Sequence, residues 1–252
     1  MIDVTRTDGI VVLRLAHGKA NALDLELSTR LAEVLDELRG EDTPALVLTG
    51  QGRIFSAGVD LIRMLADGPD YVRAFLPVLR RAFRTAFAYP GPLVAALNGH
   101  AVAGGCVLAA VADRRLLSDS GGRVGVPELR VGVPFPAEAI EPMREVLPPA
   151  RFRTLVMGGV MLDAPAAKDW GLVDEVVEPD RLLEHALRAA RDLASIPADT
   201  FRLTKQQMRA PALARMDAAA RAEGETLMRI WTDPATFDAV RAHVARTFKA
   251  PR

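Results

Sequence analysis

Apolar positions along the chain follow two rhythms, and their alternation predicts the order of elements. "IDVTRT" and "GIVVLRLAH" flank Asp8-Gly9, a dipeptide suited to a tight hairpin, so the chain opens as a strand pair. Leu27, Leu31, Leu35 and Leu38 then recur at helical spacing over residues 24–39. "PALVLTG" (44–50) is a short apolar strand. Residues 70–88 form a helix with Val72, Phe75, Leu76, Leu79 and Phe83 inward. "PLVAALNG" (92–99) is the next strand, residues 103–113 the next helix, and "GRVGVPELRVGVPFP" (122–136) an extended segment punctuated by Gly and Pro. "PARFRTLVMGG" and "DAPAAKDWGL" are short helices stopped at Gly, "VDEVVE" a strand, and residues 180–194 a helix. After Pro197 the strands cease, and residues 200–250 carry alanine-rich helical segments. The pattern predicts an α/β core with a mostly parallel sheet over residues 1–195 and a helical appendage over 196–252.

Composition narrows the function classes. Lys and Arg total 32, as do Asp and Glu, so the formal net charge is zero and nothing favours nucleic acid or a membrane surface. The N-terminus lacks the long apolar run of a signal peptide. The uncharged stretch at 92–112 is cut by Asn98, Gly99, His100, Gly104 and Gly105, and suits strand, turn and buried helix better than a membrane span. Cys106 is the one cysteine, so no intrachain disulfide forms, in keeping with a cytoplasmic protein. No phosphate-cradling GxxxxGK[ST] or GxGxxG loop is present, and no His/Cys cluster has metal-ligand spacing, so neither a metal nor a separate cofactor is expected.

Two glycine turns carry the candidate chemistry. "FSAGVDL" (55–61) follows the strand "PALVLTG", and "AVAGGCVL" (101–108) follows "PLVAALNG". Strand C-termini and helix N-termini gather at one edge of an α/β fold. Ala57–Gly58 and Gly104–Gly105 either offer one backbone N–H each to a common oxygen, the minimum oxyanion hole, or are ordinary turns that need glycine for positive φ. No acid, His or Lys follows Gly104 within its turn; Val107 and Leu108 come instead.

"GKANALDLEL", "LVLTGQGRIFSAGVDL", "LVAALNGHAVAGGCVLAAVADRRLLSD", "VGVPELRVGVPFP" and "DWGLVDEVVEPDRL" occur in that order over about residues 10–195. In these motifs the chain resembles the crotonase (enoyl-CoA hydratase/isomerase) superfamily. The resemblance implies a spiral of β-β-α turns, with the C-terminal helices trimerising as a homotrimer or a dimer of trimers. It implies an acyl-CoA thioester as substrate, CoA being part of that substrate. Ala57 and Gly104 match the oxyanion-hole positions. Lys19 and Ala20 lie in the loop matched to the CoA nucleotide; Ala57, Gly58, Val59, Asp60 and Leu61 would run along the ligand. Hydratases of the family carry two glutamates; here one position is Val107 and the other is Glu128. Hydration must activate water and deliver a proton, whereas moving a double bond needs one group that takes a proton and returns it. The pattern resembles the Δ3,Δ2-enoyl-CoA isomerase branch, with Glu128 as base and acid. A single-glutamate hydratase, or another reaction through the same enolate, and a noncatalytic acyl-CoA-binding subunit are the competing readings.

The remaining polar residues receive quieter roles. Cys106 packs beneath the turn, His100 is a turn residue, His17 faces solvent, Asp113 ties down a turn and Asp60 caps the following helix. Glu138 and Glu141 are reserve acids, Trp170 is core, and Lys19, Lys205 and Lys249 are candidate phosphate partners.

Overall fold

The computed structural model describes residues 1–40 and 43–248; Lys249 lies outside them. Strands β1 (Ile2–Thr7) and β2 (Ile10–Leu15) form the expected hairpin, with Asp8 and Gly9 both at positive φ. Helix α1 (Leu25–Glu37) follows, capped where Asp24 accepts the Leu27 N–H at 2.8 Å. Next come β3 (Leu46–Gly50), β4 (Ile54–Ser56) and α2 (Leu61–Phe87), then β5 (Leu93–Leu97), β6 (His100–Val102) and α3 (Gly104–Ala110). They are followed by β7 (Arg114–Ser118), β8 (Val124–Gly125), α4 (Glu128–Val131), α5 (Ala137–Val146), α6 (Pro149–Gly158), β9 (Met161–Leu162) and α7 (Ala164–Trp170). The chain continues through β10 (Glu175–Val177), α8 (Leu182–Ala194), α9 (Ala198–Trp231) and α10 (Pro234–Phe248).

Three successive units, β3-β4-α2, β5-β6-α3 and β7-β8-α4, repeat one path. The first strand of each joins a six-stranded sheet of order β1-β2-β3-β5-β7-β10, and the second joins a four-stranded sheet of order β4-β6-β8-β9. This is the β-β-α spiral expected from the resemblance. Within the large sheet only β1–β2 is antiparallel; within the small one only β8–β9. Alternation along the strands separates two cores. Val11, Leu13, Leu46, Leu48, Ala95 and Leu97 face the helical interior, whereas Ile10, Val12, Val47, Val94 and Ala96 pack under α8. Both faces are covered, which is why β3 and β5 read as nearly continuous apolar runs.

Three sequence expectations need correction. The helix expected over 70–88 begins at Leu61 and turns sharply at Gly68 (φ 74°, ψ −163°), where Pro69 also removes a backbone donor. The segment 122–136 is not extended throughout: it holds β8 and the single turn α4, whose first residue is Glu128 and whose end is Gly132 in the left-handed region. Lys205 does not reach any phosphate site. It is buried, with Nζ 2.6 Å from Asp113 Oδ2 and 2.7 Å from the Gly91 carbonyl oxygen.

That contact anchors the C-terminal helices. Asp113 accepts the Leu93 N–H at 2.8 Å and also pairs with Arg209 at 2.6 Å, so one carboxylate joins the start of β5 to α9. α10 returns to pack on α2 and α4 through Phe237 and Val240, which share a cluster with Met64, Val72, Leu76 and Trp231. Removing Asp113 leaves the buried Lys205 and the half-buried Arg209 without their counter-ion. Asp113→Ala is expected to cost about 3–5 kcal/mol of stability. Thermal melts check this, and an unchanged Tm contradicts it.

Candidate active site

The two glycine turns meet. A Cβ on Gly58 would stand 2.6 Å from Ala103 Cβ and 3.0 Å from the Gly104 nitrogen; one on Gly105 would stand 2.3 Å from the Ser56 carbonyl oxygen. Glycine is required at both places because backbone packs on backbone. Gly58 also needs its φ of 81°. Ala103 is held at φ 54°, ψ −126°, a costly conformation for a residue with a side chain, and its N–H donates to the Gly125 oxygen at 2.8 Å. From Ala103 the chain enters α3, and Gly104, as its first residue, has no carbonyl acceptor within the helix.

The amide expected from Ala57 is already engaged: it donates to the Ala20 oxygen at 3.0 Å. The free amide is two residues on. Leu23 donates to the Gly58 oxygen at 2.8 Å and accepts from the Asp60 N–H at 3.1 Å. Across a trans peptide the N–H points opposite to the C=O, so the Val59 N–H is turned away from Leu23. Among the described residues neither Val59 nor Gly104 donates its N–H to a protein acceptor.

A cavity of about 490 Å³ opens over these turns. Ala57, Val59, Asp60, Leu61, Gly104, Val107 and Glu128 line it, as do Lys19 and Ala20. Gly58 lies in the contact beneath. Asp60 accepts the Arg63 N–H at 2.9 Å and so caps α2. Glu128 is half-buried, but its Oε2 is fully buried and has no hydrogen-bond partner among the described residues. Desolvation pushes its pKa up to about 8, outweighing the opposing effect of its own backbone N–H. Val107 presents a methyl-bearing wall rather than a second carboxyl.

The reserve acids are committed elsewhere. Glu138 is gripped by Arg80 at 2.9 and 3.0 Å, and Glu141 by Arg215 at 2.6 Å and Arg144 at 3.2 Å. His100 Nδ1 accepts the Arg123 N–H at 3.1 Å away from the cavity. His17 does not simply face solvent: it lines the cavity and its Nε2 lies 2.6 Å from Asp24 Oδ2. Cys106 is buried, and burial together with the Glu128 charge drives its thiol pKa up, the reverse of what a nucleophile needs. Trp170 is half-buried rather than fully core.

Sequence reasoning missed Trp231, His243 and Thr247, which reach the cavity from the C-terminal helices. The Trp231 indole N–H donates to the Pro134 oxygen at 3.0 Å. No local motif marks these residues; the packing of α9 and α10 against α2 brings them in.

This spiral fold, with its cavity over paired glycine turns, defines a class of acyl-CoA hydratases and isomerases. The chain belongs to the enoyl-CoA hydratase/isomerase family, whose model matches residues 5–236. A putative enoyl-CoA hydratase of Thermus thermophilus is 33% identical over 210 residues, covering 82% of each chain. The carnitinyl-CoA dehydratase of Escherichia coli K12 is 32% identical over 198 residues, 77% of this chain and 74% of that one. The human mitochondrial Δ3-Δ2-enoyl-CoA isomerase superposes with a TM-score of 0.92 at 24% identity, covering 98% of both chains, a likeness of fold. Among the described residues no helix is long and apolar enough to cross a membrane.

The buried carboxyl has a consequence for stability. Unfolded, Glu128 loses its proton near pH 4.5; folded, it holds it to about pH 8. The native state therefore binds more protons across that window, and this group's contribution falls as pH rises through it, reaching its full penalty above about 8. Glu128→Gln removes the penalty. Its Tm relative to wild type is expected to rise between pH 5 and pH 8.5, each kcal/mol of relief giving about 2–4 °C. A Tm difference that does not vary with pH contradicts this.

Proposed function

We propose that the protein shifts the double bond of a 3-enoyl-CoA to the 2-position, using Glu128 as the single proton shuttle. The observation that carries this reading is one fully buried, unpartnered carboxyl oxygen in an apolar cavity that has Val107 where a second acid would stand. The thioester oxygen would accept the Val59 and Gly104 N–H groups, with Val59 replacing Ala57 as the first donor. The C2 proton is far less acidic than a carboxylic acid, so charge developing on that oxygen must be stabilised; each such donor is worth about 2.7–4 kcal/mol. Glu128 takes the proton from C2, the enolate is held by the two amides, and the same carboxyl returns the proton at C4. A desolvated carboxylate is the stronger base for this step. The apolar wall excludes water, which disfavours addition across the double bond.

The names of the curated relatives favour a second reading, hydration or dehydration of an acyl-CoA with one glutamate. One assay pair separates the two. A 3-enoyl-CoA is expected to become conjugated while a 2-enoyl-CoA undergoes little hydration; rapid hydration of the latter supports the second reading. If both thioesters bind and neither reacts, the protein is an acyl-CoA-binding subunit. For the isomerase, kcat/KM rises with pH to an inflection near 8, since the base must be unprotonated. Glu128→Gln abolishes turnover and spares binding; surviving activity refutes the residue's role.

We further propose a cytoplasmic trimer or dimer of trimers. α9 runs for 34 residues, yet only Lys205, Ala212, Met216 and Trp231 are buried along it, and Leu203 and Met208 are 57% and 68% exposed. Light scattering on the purified chain is expected to give three or six copies; a monomer contradicts this.

A further inference from the structure

Ser56 is fully buried at the end of β4, where it touches both glycine turns. Its Oγ donates to the Asn21 carbonyl oxygen at 2.8 Å and accepts the Gly58 N–H at 3.2 Å. Its own carbonyl packs against Gly105 so closely that a methyl group there would sit 2.3 Å away. Asn21 in turn is locked. It sits at φ 47°, its amide donates to the Ile54 and Phe55 oxygens at 2.9 and 3.2 Å, and its Oδ1 accepts the His17 N–H at 3.0 Å. The acceptor that Ser56 holds is therefore fixed independently.

Gly58 is the swivel this arrangement controls. Two peptide planes meet at its Cα. The plane carrying the Gly58 oxygen also carries the Val59 N–H, and Leu23 pins it at 2.8 Å. The plane carrying the Gly58 N–H is pinned by Ser56 Oγ. Glycine's conformational freedom would let one plane turn against the other if either pin were absent. With both present, φ is held at 81° and the Val59 N–H has one direction.

We infer that Ser56 is a positioning residue for catalysis: its hydroxyl holds the Ala57–Gly58 plane on one side of the Gly58 swivel while the Leu23 N–H holds the other, and the two together fix the aim of the Val59 amide at the thioester oxygen. The inference rests on the oxyanion role of Val59 proposed above. Ser56 never touches substrate. Because a donor aimed at developing charge acts more strongly in the transition state than on the ground-state carbonyl, losing its aim lowers kcat and leaves KM nearly unchanged.

The test uses the full-length enzyme with a 2,4-dienoyl-CoA thioester as probe. Donors on its carbonyl oxygen draw electron density from the conjugated chain and move its absorption to longer wavelength, so the red shift reports the hole directly. Ser56→Ala is expected to bind the probe, to lose much of the red shift, and to show kcat reduced about 10- to 100-fold. Thr49→Val is the control for losing a buried hydroxyl as such: Thr49 Oγ1 donates to the Ala96 oxygen at 2.8 Å away from the cavity. It is expected to lower Tm comparably and to keep the full red shift. Should Ser56→Ala not fold, Ser56→Cys carries the same measurement, sulfur being a weaker partner, and the shift falls by less. A wild-type protein that binds the probe without any red shift overturns the Val59–Gly104 hole, and this inference with it. A wild-type shift that Ser56→Ala or Ser56→Cys retains in full, with kcat unchanged, overturns the inference alone.

Discussion

The site depends on one close approach, that of the Gly58 and Gly104 backbones. Segments from two successive β-β-α units come so near that a methyl group on Gly58 would collide with Ala103 and crowd the Gly104 nitrogen. That proximity is what the proposed oxyanion hole requires, one amide from each unit reaching a common oxygen. The spiral topology supplies it: β4 and β6 are parallel neighbours in the small sheet, and each releases its turn at the same edge. The strain at Ala103 and the buried hydrogen bonds of Asn21 and Ser56 serve the same juncture.

The carboxyl is governed by the opposite principle. Backbone donors are abundant at the turns, but Glu128 Oε2 receives none. Its position at the start of a single helical turn, between Pro127 and the left-handed Gly132, points it into an apolar space where ionisation is costly. Folding tolerates this cost, and a carboxylate that is expensive to form is a correspondingly better base. The Asp113–Lys205–Arg209 cluster is the structural counterpart. There the charged groups pair with one another, and the result is anchorage of α9.

Much of this was legible in the chain. Asp8-Gly9 announced the hairpin, the leucine series announced α1, and the terminating glycines Gly159 and Gly171 both adopt the left-handed cap their positions suggested. Glu128 stood out because its motif stood out. Other features were not legible, for identifiable reasons. β4, β6, β8 and β9 are two or three residues long, too short for any period to register. Whether the Ala57 or the Val59 amide is free depends on which one faces Leu23 and Ala20, contacts made by a loop more than thirty residues earlier. The Trp231 contribution to the cavity is set by tertiary return of the last two helices, and Lys205 stood as a candidate phosphate partner because nothing in the sequence places Asp113 beside it.

A structure of the protein with a bound acyl-CoA thioester tests these relationships most directly. The thioester oxygen is expected about 2.7–3.1 Å from both the Val59 and Gly104 nitrogens, with Glu128 Oε2 within reach of C2 and C4 on the same face. A thioester oxygen facing away from those two nitrogens, or a Glu128 carboxyl rotated out of the cavity, would contradict the proposed chemistry.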